Sequence, residues 1–146
     1  MVPGNLIRGP EIFKDNLKLN RNMDQKLPSI LIVDDSETNL VLLTAVLGEG
    51  RWPVRTARSG ADALKVMHSW VPDLILLDLL MPGIDGYQML ERLKSDERYS
   101  HIPVIVISAV NDPDTRDKCL QKGAVDYLPK PVNIKELETK VKTLLG

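Results

Sequence analysis

Short runs of uninterrupted apolar residues, each ending on a polar side chain, constrain this chain more than any other feature. Ile30-Leu31-Ile32-Val33 stops at Asp34 and Asp35, and Leu74-Ile75-Leu76-Leu77 stops at Asp78. Pro103 to Ile107 is a third such run, and the shorter segment Val125 to Leu128 is followed by Pro129, Lys130 and Pro131. A strand with one wet face alternates apolar with polar residues, whereas a strand covered on both faces reads as continuous Val, Ile and Leu. These runs are therefore expected to form strands of a sheet covered on both faces, with helices packed above and below.

The segments between them carry the helices. From Glu37 to Leu47, apolar Leu40, Leu43, Val46 and Leu47 recur at helical spacing, with Ser36 as N-cap and Gly48 as a stop. Val54 to Ala57 is a short second strand. Ser59-Gly-Ala-Asp62 has the spacing of a capping box, and opens a helix with Ala63, Leu64 and Met67 on one stripe that ends near Trp70. Met81-Pro-Gly-Ile-Asp-Gly86 is turn chemistry leading to a helix of about ten residues. Asp114 to Lys122 reads as a helix stopped at Gly123, and Asn133 with Glu136 opens a last helix bearing Leu137, Val141, Leu144 and Leu145. Five strands alternating with five helices predict an α/β domain with right-handed crossovers and a parallel sheet covered on both faces. The alternation does not give the strand order.

The 146 residues, 43% hydrophobic and 27% charged, suit one domain and are too few for two. From Ser29 onward 14 Lys/Arg face 17 Asp/Glu, which offers no basic footprint for nucleic acid. Cys119 is the single cysteine, so no internal disulfide forms, in agreement with a reducing compartment. No run approaches the roughly 20 apolar residues of a membrane span, and the N-terminus lacks a secretion signal's apolar core. The expected address is the cytoplasm. Residues 1–28 are rich in Pro, Gly and Asn, with one amphipathic stretch from Ile12 to Leu19. They read as a mobile leader or a short docking helix, and Met23 is available as an alternative start; the domain proper is expected over 29–146.

In open parallel sheets, ligands sit at the carboxyl ends of the strands. Asp34, Asp35 and Asp78 are therefore candidates for one pocket. Crowded carboxylates repel, so one must take a proton or a cation must neutralise them. A cation beside an accessible carboxylate sets up phosphoryl chemistry on aspartate. Read singly, each residue has a plainer explanation. Asp34 and Asp35 serve equally as caps for the next helix, Ser108 as a turn residue, Lys130 as a solvated surface lysine and Tyr127 as a half-buried sheet residue. His68 and His101 are too isolated for a metal site, Cys119 suits the core, and Trp52 and Trp70 stand at element ends.

Taken in order, Ile30-Leu-Ile-Val-Asp34-Asp35, Leu76-Leu-Asp78-Leu-Leu-Met81-Pro82-Gly83-Ile-Asp85-Gly86, Pro103-Val-Ile-Val-Ile-Ser108-Ala109 and Asp126-Tyr127-Leu-Pro-Lys130-Pro131 resemble the receiver domain of bacterial two-component response regulators. The resemblance covers Ser29 to Gly146. It implies a flavodoxin-like sheet of order 2-1-3-4-5, with Asp78 as the acceptor of a phosphoryl group from a histidine kinase or phosphotransfer protein. It also implies Mg²⁺ held by Asp35 and Asp78 directly, by Asp34 largely through water, and by the backbone carbonyl of Leu80. Ser108 matches the switch hydroxyl, Lys130 the phosphate-pairing cation and Tyr127 the aromatic that reports the state. A cis bond before Pro131 is expected, because only X-Pro bonds adopt that form cheaply. The family's partner or dimer surface is the fourth helix, fifth strand and fifth helix. Such a domain works alone or as the input part of a longer chain with an output domain, and it catalyses only its own aspartyl phosphorylation and dephosphorylation.

Two other readings remain. One is a receiver-like interaction module that is never phosphorylated, against which the complete set Asp34, Asp35, Asp78, Ser108 and Lys130 argues. The other is a phosphatase with an aspartyl-phosphate intermediate, which would want a second acid two residues after Asp78, where Leu80 stands. The sequence has no phosphate-binding Gly-rich loop of either common nucleotide-binding type and no Gly-x-Ser-x-Gly elbow.

Overall fold

A computed structural model describes residues 27–146 except 50, 82 and 84. The reading of 1–28 as a leader thus lies outside the described residues, save Leu27 and Pro28. Strand and helix alternate as β1 Ile30–Val33, α1 Glu37–Gly48, β2 Val54–Ala57, α2 Gly60–Ser69, β3 Leu74–Asp78, α3 Gly86–Ser95, β4 Val104–Ser108, α4 Pro113–Gln121, β5 Asp126–Pro129 and α5 Ile134–Leu145. All four strand pairings are parallel, and the order across the sheet is β2-β1-β3-β4-β5. This is the flavodoxin-like order expected from the resemblance.

The continuous apolar runs are explained by the two cores. Successive strand residues point to opposite faces, so Leu31, Val33, Ile75, Leu77, Val104 and Val106 meet Met67, Met89, Leu93 and Cys119 from α2, α3 and α4. Their neighbours Ile30, Ile32, Leu74, Leu76, Ile105 and Ile107 meet Leu40, Leu43, Leu47, Leu137 and Val141 from α1 and α5. Each fully buried Leu or Ile stabilises the fold by about 1.5–3 kcal/mol. The three central strands are buried along their whole length. The two edge strands read as mixed: β2 leaves Arg55 and Thr56 exposed, and β5 carries the half-buried Asp126 and the exposed Pro129. Trp52 lies in the α1/α5 core and Trp70 packs partly against the other.

Element ends differ from the sequence expectation in ways that matter for the strand termini. β3 runs one residue further, to Asp78, and β4 one further, to Ser108, so both side chains belong to the last rung of the ladder. Gly48 is the final residue of α1 instead of its stop. Ser59 caps α2 by accepting from the Asp62 N–H, and the full capping box is at α3, where Asp85 accepts from the Gln88 N–H and Gln88 returns a bond to the Asp85 N–H. α4 begins at Pro113, not Asp114, because Asp112 accepts from the Thr115 N–H and proline suits the first helical position. Gly123 ends that helix with φ +109°. Leu144, expected on the buried stripe of α5, is exposed.

Gly86 ties α3 to the end of β3. Its N–H donates to the Leu79 carbonyl at 2.8 Å, and an added Cβ would sit 2.4 Å from the Leu79 Cα and 2.9 Å from the Asp78 carbonyl oxygen. Those neighbours are backbone and cannot rotate away. Gly86→Ala is therefore expected to lower stability by about 1–3 kcal/mol in urea unfolding, the usual cost of overpacking; a variant as stable as the parent would contradict this contact.

Candidate functional site

Three carboxylates converge where β1 and β3 end. Asp34 follows β1 and is 2% exposed, Asp78 ends β3 at 5%, and Asp35 is open to solvent. One oxygen from each lies within 4.8 Å of the other two. The register explains the meeting: Val33 pairs with Leu77, so the residues that follow them are side by side on adjacent parallel strands. Lys130, just after β5, reaches in to place its Nζ 3.2 Å from Asp34 Oδ2 and 3.5 Å from Asp78 Oδ1. The Lys130–Pro131 bond is cis, as the sequence reading anticipated.

Backbone and amide donors hold the carboxylates in place. Asp34 Oδ1 accepts from the Ser36 N–H at 2.8 Å, and its Oδ2 accepts from the Asn39 side-chain amide at 3.3 Å. Asp78 Oδ1 accepts from the Leu80 N–H at 3.3 Å, while the Leu80 side chain is exposed. Burial, followed by the nearby Asp34 charge, pushes the Asp78 carboxyl up from 3.8 to about 6, against the opposing pull of Lys130 and the Leu80 N–H. One ammonium thus does not compensate this pocket. The donor set is all hard oxygen, which fits a small divalent cation such as Mg²⁺ and not a soft metal.

Ser108 ends β4 one rung past Ile107, the partner of Asp78, and is fully buried. Its Oγ accepts from the Val110 N–H at 3.1 Å, so the plainer reading of Ser108 as a turn residue holds for its acceptor side. The hydroxyl proton is left for another acceptor. Tyr127 differs from its expectation as a half-buried residue: it is 4% exposed, packs in the α2/α3/α4 core and donates its hydroxyl to the Val110 carbonyl. Its ring is turned inward. The side chain of Ser36, read only as a helix cap, does cap α1, while its backbone N–H adds the bond to Asp34.

Arg58 was not legible. Its Nη2 donates to the Asp35 carbonyl at 3.4 Å and its Nη1 lies 3.7 Å from Glu37 Oε1. Nothing in the local sequence marks this arginine; only the pairing of Val33 with Ala57 sets it beside Asp34. His68 and His101 are exposed and join no metal-ligand group among the described residues. Cys119 is buried in the core, which pushes its thiol up.

Fold and site together define a doubly wound α/β domain with an acidic pocket, bridged by a lysine, at the carboxyl edge of its sheet. The family model for the response regulator receiver domain matches residues 30–142, and the chain belongs to that family. It is 42% identical over 115 residues to the response regulator PleD of Caulobacter vibrioides, an alignment covering 79% of this chain and 25% of that one. It is 38% identical over 115 residues to the protein PilH of Pseudomonas aeruginosa, covering 79% and 93%. The chain thus spans about a quarter of the first relative's length and nearly all of the second's. A putative response regulator from Chloroflexus aurantiacus superposes with a TM-score of 0.77 at 36% identity, covering 82% of this chain and 98% of that one. No described helix is long and apolar enough to cross a membrane.

The raised Asp78 carboxyl has a stability consequence of definite sign. A group that holds its proton more tightly when folded contributes stability that is full below pH 3.8 and is lost as pH rises through about 6. In metal-free buffer, Asp78→Asn should therefore exceed the parent in stability by about 1–3 kcal/mol at pH 7, with the gap closing toward pH 4. Urea unfolding at the two pH values reads this directly, and Mg²⁺ should narrow the gap at pH 7 by stabilising the parent. Equal stabilities at pH 7 would mean the Asp78 charge is already compensated.

Proposed function

We propose that this receiver domain accepts a phosphoryl group on Asp78 from the phosphohistidine of a sensor kinase or phosphotransfer protein, and that the modification shifts the surface formed by α4, β5 and α5. The observation that carries the reading is the meeting of a buried Asp78 with Asp34, Asp35 and Lys130 at one strand edge. Asp34, Asp35, Asp78 and the Leu80 carbonyl would hold Mg²⁺, which when bound supplies positive charge for an anionic donor. The site of action is taken to be the cytoplasm.

Asp78 is the nucleophile, and with its carboxyl near 6 it is largely ionised at neutral pH. One of its oxygens bonds to phosphorus as the phosphorus–nitrogen bond to the donor imidazole breaks, the electron pair staying on that nitrogen. Phosphoryl transfer asks mainly for positioning and charge stabilisation, so a small constellation suffices. Lys130 already spans Asp34 and Asp78, and can exchange a carboxylate oxygen for a phosphoryl oxygen with little movement. Ser108 keeps its Val110 contact on the acceptor side while its proton turns to the new group.

Phosphorylation acts on a pre-existing equilibrium, and a swing from 1:99 to 99:1 needs about 5.5 kcal/mol of differential stabilisation. Three new acceptor oxygens and added negative charge, shared between Lys130 and Ser108, are the source of that difference.

Incubation with acetyl phosphate and Mg²⁺ should give an adduct of one phosphoryl group by intact mass, labile to base. Asp78→Asn should give none. Lys130→Ala should label more slowly and show no change in the amide NMR shifts of α4, β5 and α5. Labelling of the asparagine variant to the same extent would place the acceptor elsewhere, and a parent that never labels would favour an interaction module independent of phosphorylation.

A further inference from the structure

We propose that Arg58 is the residue that captures the phosphoryl donor at the mouth of the pocket, handing its anionic end inward to Asp78 and Lys130. The inference rests on the reading of Asp78 as acceptor and extends it to donor recognition. The pocket has a depth order: Asp34 and Asp78 are buried, and Asp35 is the exposed member that marks the opening. Lys130 is committed to the interior, bridging the two buried carboxylates. An incoming dianion enters past Asp35, whose charge opposes it wherever it is not offset by the Mg²⁺ that the acidic set would hold. The cation standing at that point is Arg58, held against the Asp35 carbonyl.

Two features suit Arg58 to a transient role. The Val33–Ala57 pairing and the bond from the Asp34 N–H to the Ala57 carbonyl, 3.0 Å, anchor its backbone beside the acidic residues. Its side chain, by contrast, is loosely held: 3.4 Å to one carbonyl and 3.7 Å to Glu37, both longer than a well-formed N–H···O bond, with both charged groups well exposed. A guanidinium has five N–H donors in a planar fork that matches phosphate in bidentate fashion, and these two contacts occupy only part of it. Glu37 is then a competitor that the donor displaces. An exposed pair of this kind is easily exchanged, since its net worth is about 0–1 kcal/mol.

The test follows labelling by acetyl phosphate at fixed Mg²⁺, by intact mass, with Mg²⁺ affinity measured separately by calorimetry. Arg58→Ala and Arg58→Gln should lower the labelling rate constant about two- to fivefold and flatten its dependence on salt, and Arg58→Lys should recover part of the rate. Glu37→Gln should raise the rate in the parent and raise it less in the Arg58→Ala background, because the competition it relieves is then absent. Mg²⁺ affinity should be unchanged or slightly higher without Arg58. Unchanged labelling in a parent that labels on Asp78 overturns the capture role alone. A fall in rate that tracks weakened Mg²⁺ binding also overturns it, since Arg58 would then only brace the Asp35 loop. A parent that does not label at all sinks the acceptor reading and this inference together.

Discussion

The architecture turns on an imbalance of charge: two carboxylates, Asp34 and Asp78, are buried at neighbouring strand ends against the single ammonium of Lys130. At 4 Å and an effective dielectric near 20, each attraction or repulsion is worth about 4 kcal/mol, and removing each ion from water costs several more. One lysine shared between two acids therefore cannot neutralise them, and burial plus the Asp34 charge outweighs Lys130 in setting the Asp78 carboxyl. A pocket left short of positive charge is poised to take a cation, and with it an anion. On the proposed function, the same deficit would tie metal affinity, acceptor reactivity and stability to one carboxyl group.

That imbalance is tolerable because the sheet beneath it does not yield. Both faces of β1, β3 and β4 are packed with aliphatic side chains, and the strand register that packing enforces places Asp34, Asp78 and Ser108 within one rung of one another. Gly86 closes the other side, letting the start of α3 touch the backbone of Asp78 and Leu79. The rigid floor contrasts with the rim. Asp35, Arg58 and Glu37 are exposed and loosely bonded, so the rim can move while the buried carboxylates are held.

Beyond the pocket, Tyr127 links the end of β4 to the α2/α3/α4 core. Its hydroxyl bonds to the carbonyl of Val110, the same residue whose N–H engages Ser108, so the two side chains meet through one residue of backbone. This short path needs no long-range wire. The inward position of Tyr127 suits both ends of the side chain: its apolar ring is buried among core side chains and its polar tip is hydrogen-bonded.

Much of this was legible along the chain. Continuous apolar runs announced doubly covered strands, helical periodicity and caps announced the helices between them, and Asp34, Asp35 and Asp78 at run ends announced an acidic carboxyl edge, because burial on both faces leaves no other pattern for a strand. Strand ends slipped by a residue because the polar Asp78 and Ser108 look like terminators, yet their backbones still complete the ladder. The Asp112 cap, which starts α4 at Pro113, was missed by one residue, and the capping box at Asp85 was missed because proline and glycine made 81–86 read as a turn. What the sequence by itself determined was therefore the layered α/β class and the acidic strand ends, both consequences of local burial. The distances of Lys130 from the carboxylates, the inward Tyr127, the closeness of Gly86 to Leu79 and the placement of Arg58 were decided only by tertiary structure, because each depends on register and packing between segments far apart in the chain.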